Sequence, residues 1–301
     1  MASPDGRAHG YARLLAYSAL AAFIGIFVKL MSGIAPIEIL FFRMAVAGVC
    51  VAAFVLVRGK TSELSLVELP RTLLVVVFQG LNTGLYITAL QYVPVSNAVF
   101  LLYTAPVFSV ILARVFLNER IEPRTILGIA AATVGTLLIV NPSSLALGSD
   151  ALLGNLLALG AGFSFAAMAA VSKSLSQKVS SAYVPFWQYI GVAAFCIFFL
   201  SPSSLSAGIA NWWQLLGLGF LSTAVAYILF MQGVKLVKAQ HVFIITSVET
   251  VFATGLAALI LHEMPSWLAL LGAAFILAGA YAITKGSGDK IQDKTQMRKK
   301  R

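Results

Sequence analysis

Apolar runs of about 20 residues recur along the chain, separated by short connections that are polar or carry proline. A helix of roughly 20 residues spans about 30 Å, the thickness of a bilayer's hydrocarbon core. These runs are apolar on every side, whereas a soluble core helix shows one apolar stripe. The pattern predicts ten spans near 11–31, 36–57, 71–93, 95–117, 121–140, 151–172, 182–200, 212–235, 239–261 and 266–285. Connections as brief as Val93–Ser96 and Asn118–Pro123 force antiparallel neighbours. The first run, Leu14 to Met31, has no small-residue cleavage pattern after it and reads as a span rather than a cleaved signal.

The polar residues inside this pattern repeat. Phe116–Gly135 reads FLNERIEPRTILGIAAATVG, and Ile260–Gly279 reads ILHEMPSWLALLGAAFILAG. Glu119 answers Glu263, Gly128 answers Gly272, Gly135 answers Gly279 and Lys29 answers Lys173, all at an offset of 144. Five spans per copy is an odd number, so the second copy enters the membrane upside down. The expected fold is an all-α polytopic membrane protein, with ten transmembrane helices in two inverted five-helix repeats. The expected divisions are 1–144, 145–288 and a basic tail at 289–301. Inverted repeats meeting at the midplane are a common transporter construction, with the site between the halves.

Composition agrees: 59% of residues are apolar and 11% charged, with a mean hydropathy of +0.91. Soluble domains carry roughly 25% charged residues. The net charge of +10 could suggest nucleic acid, but its placement says otherwise. With the N-terminus inside, the inner segments hold Arg58, Lys60, Arg71, Arg120, Lys178, Lys238 and the tail, while the outer loops hold no basic residue. That bias puts both termini in the cytoplasm. Cys50 and Cys196 lie in apolar runs without a partner at metal or redox spacing. No catalytic motif is present, and His9, His241 and His262 lie far apart in sequence at termini or span ends. Neither a cofactor nor a metal is expected.

Several in-span residues are candidates for a site. Glu249 sits near the centre of span nine, where an acidic residue costs about 2.5–3.5 kcal/mol on insertion scales. It faces a wet cavity or a donor: either it bonds within the bundle, to Ser247 or Thr250, or it contacts a substrate ammonium group or couples a proton. In span three, Gln79, Asn82, Thr83 and Tyr86 fall at i, i+3, i+4 and i+7, one continuous face. Span eight supplies Phe220, Thr223 and Tyr227, and Tyr227 is read as the partner of Tyr86. Tyr103, Phe163, Phe165 and Thr246 extend the set, with core filling as the plain alternative. Pro106 removes a backbone donor inside span four and kinks it, as architecture or as a gate. Gly80 and Gly84 are further bending points. Gly128, Gly135, Gly272 and Gly279 read as close-packing positions. Trp187, Gln188 and Tyr189 are consecutive, so they cannot all line one cavity. Trp212 and Trp213 read as interfacial anchors. Glu38 and Arg43, near the outer end of span two, read as an interfacial pair with each other or Lys29.

The segments "LLYTAPVFSVILARVFLNERI…ILGIAAATVG" and "IITSVETVFATGLAALILHEM…LLGAAFILAG" carry a resemblance over about 11–285. The chain resembles the drug/metabolite transporter superfamily, in its ten-helix class with two EamA-type repeats. Within it the chain is similar to bacterial exporters of aromatic and other amino acids. It departs at Thr250, where the second repeat usually has proline, and at Ala21 and Phe165, where tryptophan is frequent. Those departures argue against a strictly aromatic range. The resemblance implies that spans one, three, four, six, eight and nine surround a central cavity, braced by spans five and ten. It implies an inner-membrane secondary transporter exporting amino acids by alternating access. Aromatic walls would take side chains, and Gln79, Asn82, Thr223 and Glu249 would take polar groups. The expected partners are amino acids as small-molecule substrate and membrane lipid, with no nucleic acid. A complete double repeat suffices as a monomer. Another metabolite or drug of the superfamily is the alternative substrate, and a non-transporting receptor or enzyme the remote one.

Overall fold

The computed structural model describes residues 4–89, 92–93, 98, 101–117, 123–140, 149–262 and 264–299. Every described element is helical, and each of the ten expected spans is occupied by helix. The first span is Pro4–Ala21 and Phe23–Lys29, the second Pro36–Val57, and the third Leu69–Ala89. The fourth is Ala105–Leu117, the fifth Pro123–Val140, and the sixth Ser149–Ser176. The seventh, Tyr183–Cys196, ends in a 3-10 turn over Ile197–Phe199. The eighth runs Trp212–Gly219, a π-helical turn Phe220–Val225, then Ala226–Leu236. The ninth is Ala239–Thr246 and Val248–Ile260, and the tenth begins Trp267–Lys299.

Six of these helices are long and apolar enough to cross a membrane, and three more are apolar but shorter. Prolines open the second and fifth spans, where a missing amide donor costs nothing. The Glu38 carboxylate accepts the Ala35 amide at 2.9 Å and so satisfies one free N–H at the start of the second span.

The inversion can be read from close contacts. The fifth and tenth spans pack along one seam. A Cβ on Gly135 would lie 2.5 Å from the carbonyl oxygen of Gly272, and one on Gly279 would lie 3.0 Å from that of Gly128. Shifting Gly135 and Gly128 by 144 gives Gly279 and Gly272, so the operation maps the seam onto itself. A self-complementary seam between antiparallel helices is the signature of a two-fold axis. Small residues permit this backbone approach where no hydrophobic force separates protein from lipid.

A second pair of contacts repeats the relation. Gly10 meets Leu236 and Val237, each at 2.8 Å from an added Cβ, while Gly154 meets Tyr92 and Val93 at 2.7 and 2.8 Å. All three residues of one contact are 144 positions from those of the other. The first contact lies at the start of span one and the second at the start of span six, which begin on opposite faces. The helix pairs obey the same rule: third with sixth answers eighth with first, fourth with sixth answers ninth with first, and second packs on seventh. At this offset Tyr227 is the equivalent of Thr83 and Tyr86 that of Phe230, which corrects the reading of Tyr86 and Tyr227 as partners.

Both halves also break a helix at one equivalent place. A turn at Tyr103–Thr104 precedes the fourth span's helix, and a turn at Ser247 divides the ninth. Pro106 withholds a donor from the Leu102 carbonyl, and Gly162 of the sixth span closes on that oxygen, 2.9 Å from an added Cβ. In the ninth span no proline is present. There the hydroxyls of Ser247 and Thr250 donate back to the carbonyls of Phe243 and Ser247 at 2.7 Å each, a pattern that bends helices. The symmetry is incomplete: the first span breaks at Ala22 and the eighth takes a π turn, while the sixth and third stay regular.

Candidate functional site

A cavity of about 310 Å³ lies where the halves meet. Gln79, Asn82, Tyr86, Tyr103, Pro106, Phe165, Thr223, Tyr227, Thr246 and Glu249 all line it. These residues come from five spans and share one surface. Among the described residues the fifth and tenth spans contribute nothing to the lining. One expectation changes. The second and seventh spans also reach the cavity, through Leu40, Arg43 and Met44 and through Gln188 and Tyr189. Gly80 and Gly84 do not line it, and no atom approaches either within 4 Å of an added Cβ. Phe220 and Phe163 are exposed on the bundle surface, Phe163 edge-on to Phe108.

The walls are aromatic. Tyr17 and Tyr227 pack on Phe230, with ring centroids 5.0 and 4.8 Å away, and Phe165 stands perpendicular to Phe243 at 5.1 Å. Polar groups cross-link the helices behind them. Gln188 donates to Gln79 Oε1 at 2.7 Å, and Gln79 donates to Thr83 at 3.2 Å. Asn82 donates to the Ala161 carbonyl at 2.9 Å, tying the third span to the sixth. Of the consecutive trio, Gln188 and Tyr189 line the cavity while the Trp187 indole donates to the Leu64 carbonyl at 3.1 Å.

The charged residues are the informative ones. Glu249 lies in the first turn of the half-helix after the Ser247 break, where a helix N-terminus favours negative charge. Ser247 and Thr250 spend their hydroxyls on backbone carbonyls, so neither is its partner. Among the described residues no group hydrogen-bonds the Glu249 carboxylate. Arg43 is the larger correction. Instead of pairing with Glu38 at the outer mouth, it turns into the cavity, and its Nε donates to Thr223 Oγ1 at 2.8 Å. Glu38 bonds Ser201 and, at shorter range, Ser204 in the connection after span seven.

One end of the cavity is closed by a layer of polar bonds. The sealed end is the one whose connections carry the basic residues. There the Tyr11 hydroxyl meets His241 Nδ1 at 2.8 Å, and Lys173 donates to the carbonyls of Val234 and Val237, the latter at 2.6 Å. Cations over the last carbonyls of a helix are favoured by its dipole. Lys235 donates to the Val179 carbonyl at 2.7 Å. Lys178 pairs with Glu68 at 2.6 Å, with Arg71 behind at 3.4 Å, and the Tyr183 hydroxyl meets Thr72 at 2.9 Å. The bonded Lys178 ammonium and the nearby Arg71 hold the Glu68 carboxyl below its ordinary range. Beneath these bonds the floor is buried Met168, Phe230 and Phe243. Toward the other end the lining passes to half-buried Ile24, Leu40, Tyr86 and Leu102.

Known proteins give the same architecture. Residues 9–141 and 152–285 each match the EamA-like transporter family. An uncharacterized transporter of Archaeoglobus fulgidus is 29% identical over 90% of this chain and 94% of its own length. The pseudopaline exporter CntI of Pseudomonas aeruginosa is 28% identical over 82% and 86%. A crystal structure 19% identical in sequence superposes with a TM-score of 0.82, covering 95% of this chain and 98% of that one. The two named relatives are transporters, one of them an exporter of pseudopaline. With both halves matched and the inverted seam between them, the chain belongs to the EamA-like transporter family of the drug/metabolite transporter superfamily.

Proposed function

We propose that this transporter exports amino acids, neutral and aromatic ones foremost, by alternating access through the central cavity. The observation that carries the reading is the lining itself: aromatic walls, amide and hydroxyl groups on one face, and a Glu249 carboxylate that no described group satisfies. A cavity of about 310 Å³ is at the small end of the roughly 300–1,000 Å³ typical of small-molecule sites, a size suited to one amino acid. Few fixed charges suit a zwitterion, because buried charge without a partner is penalised.

The basic connections argue for both termini in the cytoplasm of a bacterial inner membrane, with repeats at 1–144 and 145–288 and a monomer as the working unit. In that orientation the sealed end is cytoplasmic and the cavity opens outward. Transport then requires the cytoplasmic bonds to part while the outer rim closes, by rocking of the halves about the glycine seam and bending at the Tyr103 and Ser247 breaks. The name of the pseudopaline exporter supports a second reading, export of another small metabolite. Counterflow of labelled phenylalanine in vesicles holding the purified protein, with and without a proton gradient, tests the proposal. Uptake that unlabelled neutral amino acids compete away is expected; silence toward all amino acids overturns it.

A further inference from the structure

The described lining holds one basic side chain, Arg43, and one acidic, Glu249. An arginine at this depth needs a reason, since a lipid-facing or unpaired cation is disfavoured in a bilayer. Its environment is built rather than incidental. Thr223 lies in the π-helical turn Phe220–Val225, a distortion frequent at functional sites. The Thr223 hydroxyl donates to the Leu218 carbonyl five residues back, at 2.7 Å. That fixes its proton and aims its lone pairs at Arg43 Nε, 2.8 Å away. The Thr223 carbonyl is held in turn by the Tyr189 hydroxyl at 3.1 Å.

Thr223 therefore engages only the Nε corner of the guanidinium. The two terminal nitrogens of Arg43 make no hydrogen bond or ion pair among the described residues. They present two parallel N–H bonds, the geometry that carboxylates match in bidentate fashion. Ser222 also lines the cavity, almost fully buried, with a hydroxyl that finds no partner among the described residues. Glu249 does not occupy the fork.

We propose that Arg43, aimed by Thr223 on the π turn, is the anion anchor of the cavity, taking the carboxylate of a zwitterionic solute whose ammonium faces Glu249. This rests on the amino-acid reading for the identity of the solute, but the anchor itself is a carboxylate site. It makes the transporter discriminate by head group: an amino acid satisfies both charges, its amide leaves the fork empty, and its deaminated acid leaves Glu249 empty.

The test uses the unmodified protein. Phenylglyoxal condenses with accessible guanidinium groups, and peptide mass spectrometry reads its yield at Arg43 against the other arginines. Phenylalanine and 3-phenylpropionate slow modification of Arg43 selectively, at least about fivefold at saturation, and phenylalaninamide does not. Equal protection by the amide, no protection by any of the three, or an Arg43 that never reacts overturns the anchor. Phenylalanine counterflow, run in parallel, separates the two ideas: protection without flux defeats amino-acid export alone, and flux without protection defeats the anchor alone. In the Arg43→Gln protein, phenylalanine competes for counterflow no better than its amide. Should that variant fold poorly, protection of the wild-type protein still decides the matter.

Discussion

Glu249 and Arg43 show what single side chains reveal in a sequence. A carboxylate mid-span stands out because its insertion cost demands a protein-facing position, and the structure places it on the cavity. Its function is testable: Glu249→Gln lowers phenylalanine counterflow roughly tenfold or more, since hydrogen bonds to charged groups contribute about 1.5–3 kcal/mol. Unchanged flux with unchanged pH dependence would remove the carboxylate from the pathway. Arg43 was misread because Glu38 lies near it in sequence. Five residues on a helix of 3.6 per turn separate two side chains by about 140° around the axis, so they face different ways. That spacing was in the sequence and argued against the pair for Arg43. Its partner Thr223, 180 positions away, carried no such signal.

The helices differ in how well they announced themselves. The glycine pattern foretold the seam between the fifth and tenth spans, and its steric basis gives a contrast. Gly135→Ala sets a methyl against the Gly272 backbone, which cannot yield as a side chain would. Overpacking of this kind costs about 1–3 kcal/mol, so the thermal unfolding midpoint of the purified protein falls. Gly80→Ala meets nothing and gains up to about 1 kcal/mol of helix propensity, so its midpoint stays or rises. Equal loss in both would mean the seam is not a close packing. Pro106 announced the break in the fourth span. The equivalent break at Ser247 was hidden because Thr250 replaces proline and hydroxyl back-bonding does the work. The π turn of the eighth span left no trace in composition or periodicity. Glu119 and Glu263, prominent in the repeated sentence of the sequence, lie outside the described residues.

As one body the transporter is symmetric in its packing and asymmetric in its closure. The positions equivalent to the Glu68–Lys178 and Thr72–Tyr183 bonds are Trp212, Ile34, Leu216 and Ile39, none of which can form such bonds. The bonds of this polar latch therefore have no symmetry equivalent at the other end, where Asn211 with Ser32 and Gln214 with Leu30 link spans eight and one instead. Glu68 also sets a pH dependence. Its carboxyl is held below the usual value of 4.5 by Lys178, so the latch is complete above that value and is lost as pH falls through the depressed one. Between about pH 5 and 8, above the usual carboxylate range, it stays closed. Glu68→Gln should therefore raise, at neutral pH, the reactivity of a thiol placed in the cavity floor toward reagents from the basic end; no change would show that the latch does not hold that end shut. Beneath all of this is the inversion, and Ser62 and Ser206 test it directly. They are exposed, 144 residues apart, in the connections after spans two and seven. With Cys50 and Cys196 replaced by alanine, a membrane-impermeant maleimide should label Ser206→Cys in intact cells and Ser62→Cys only after the membrane is opened. Labelling of both from the same face would contradict the account.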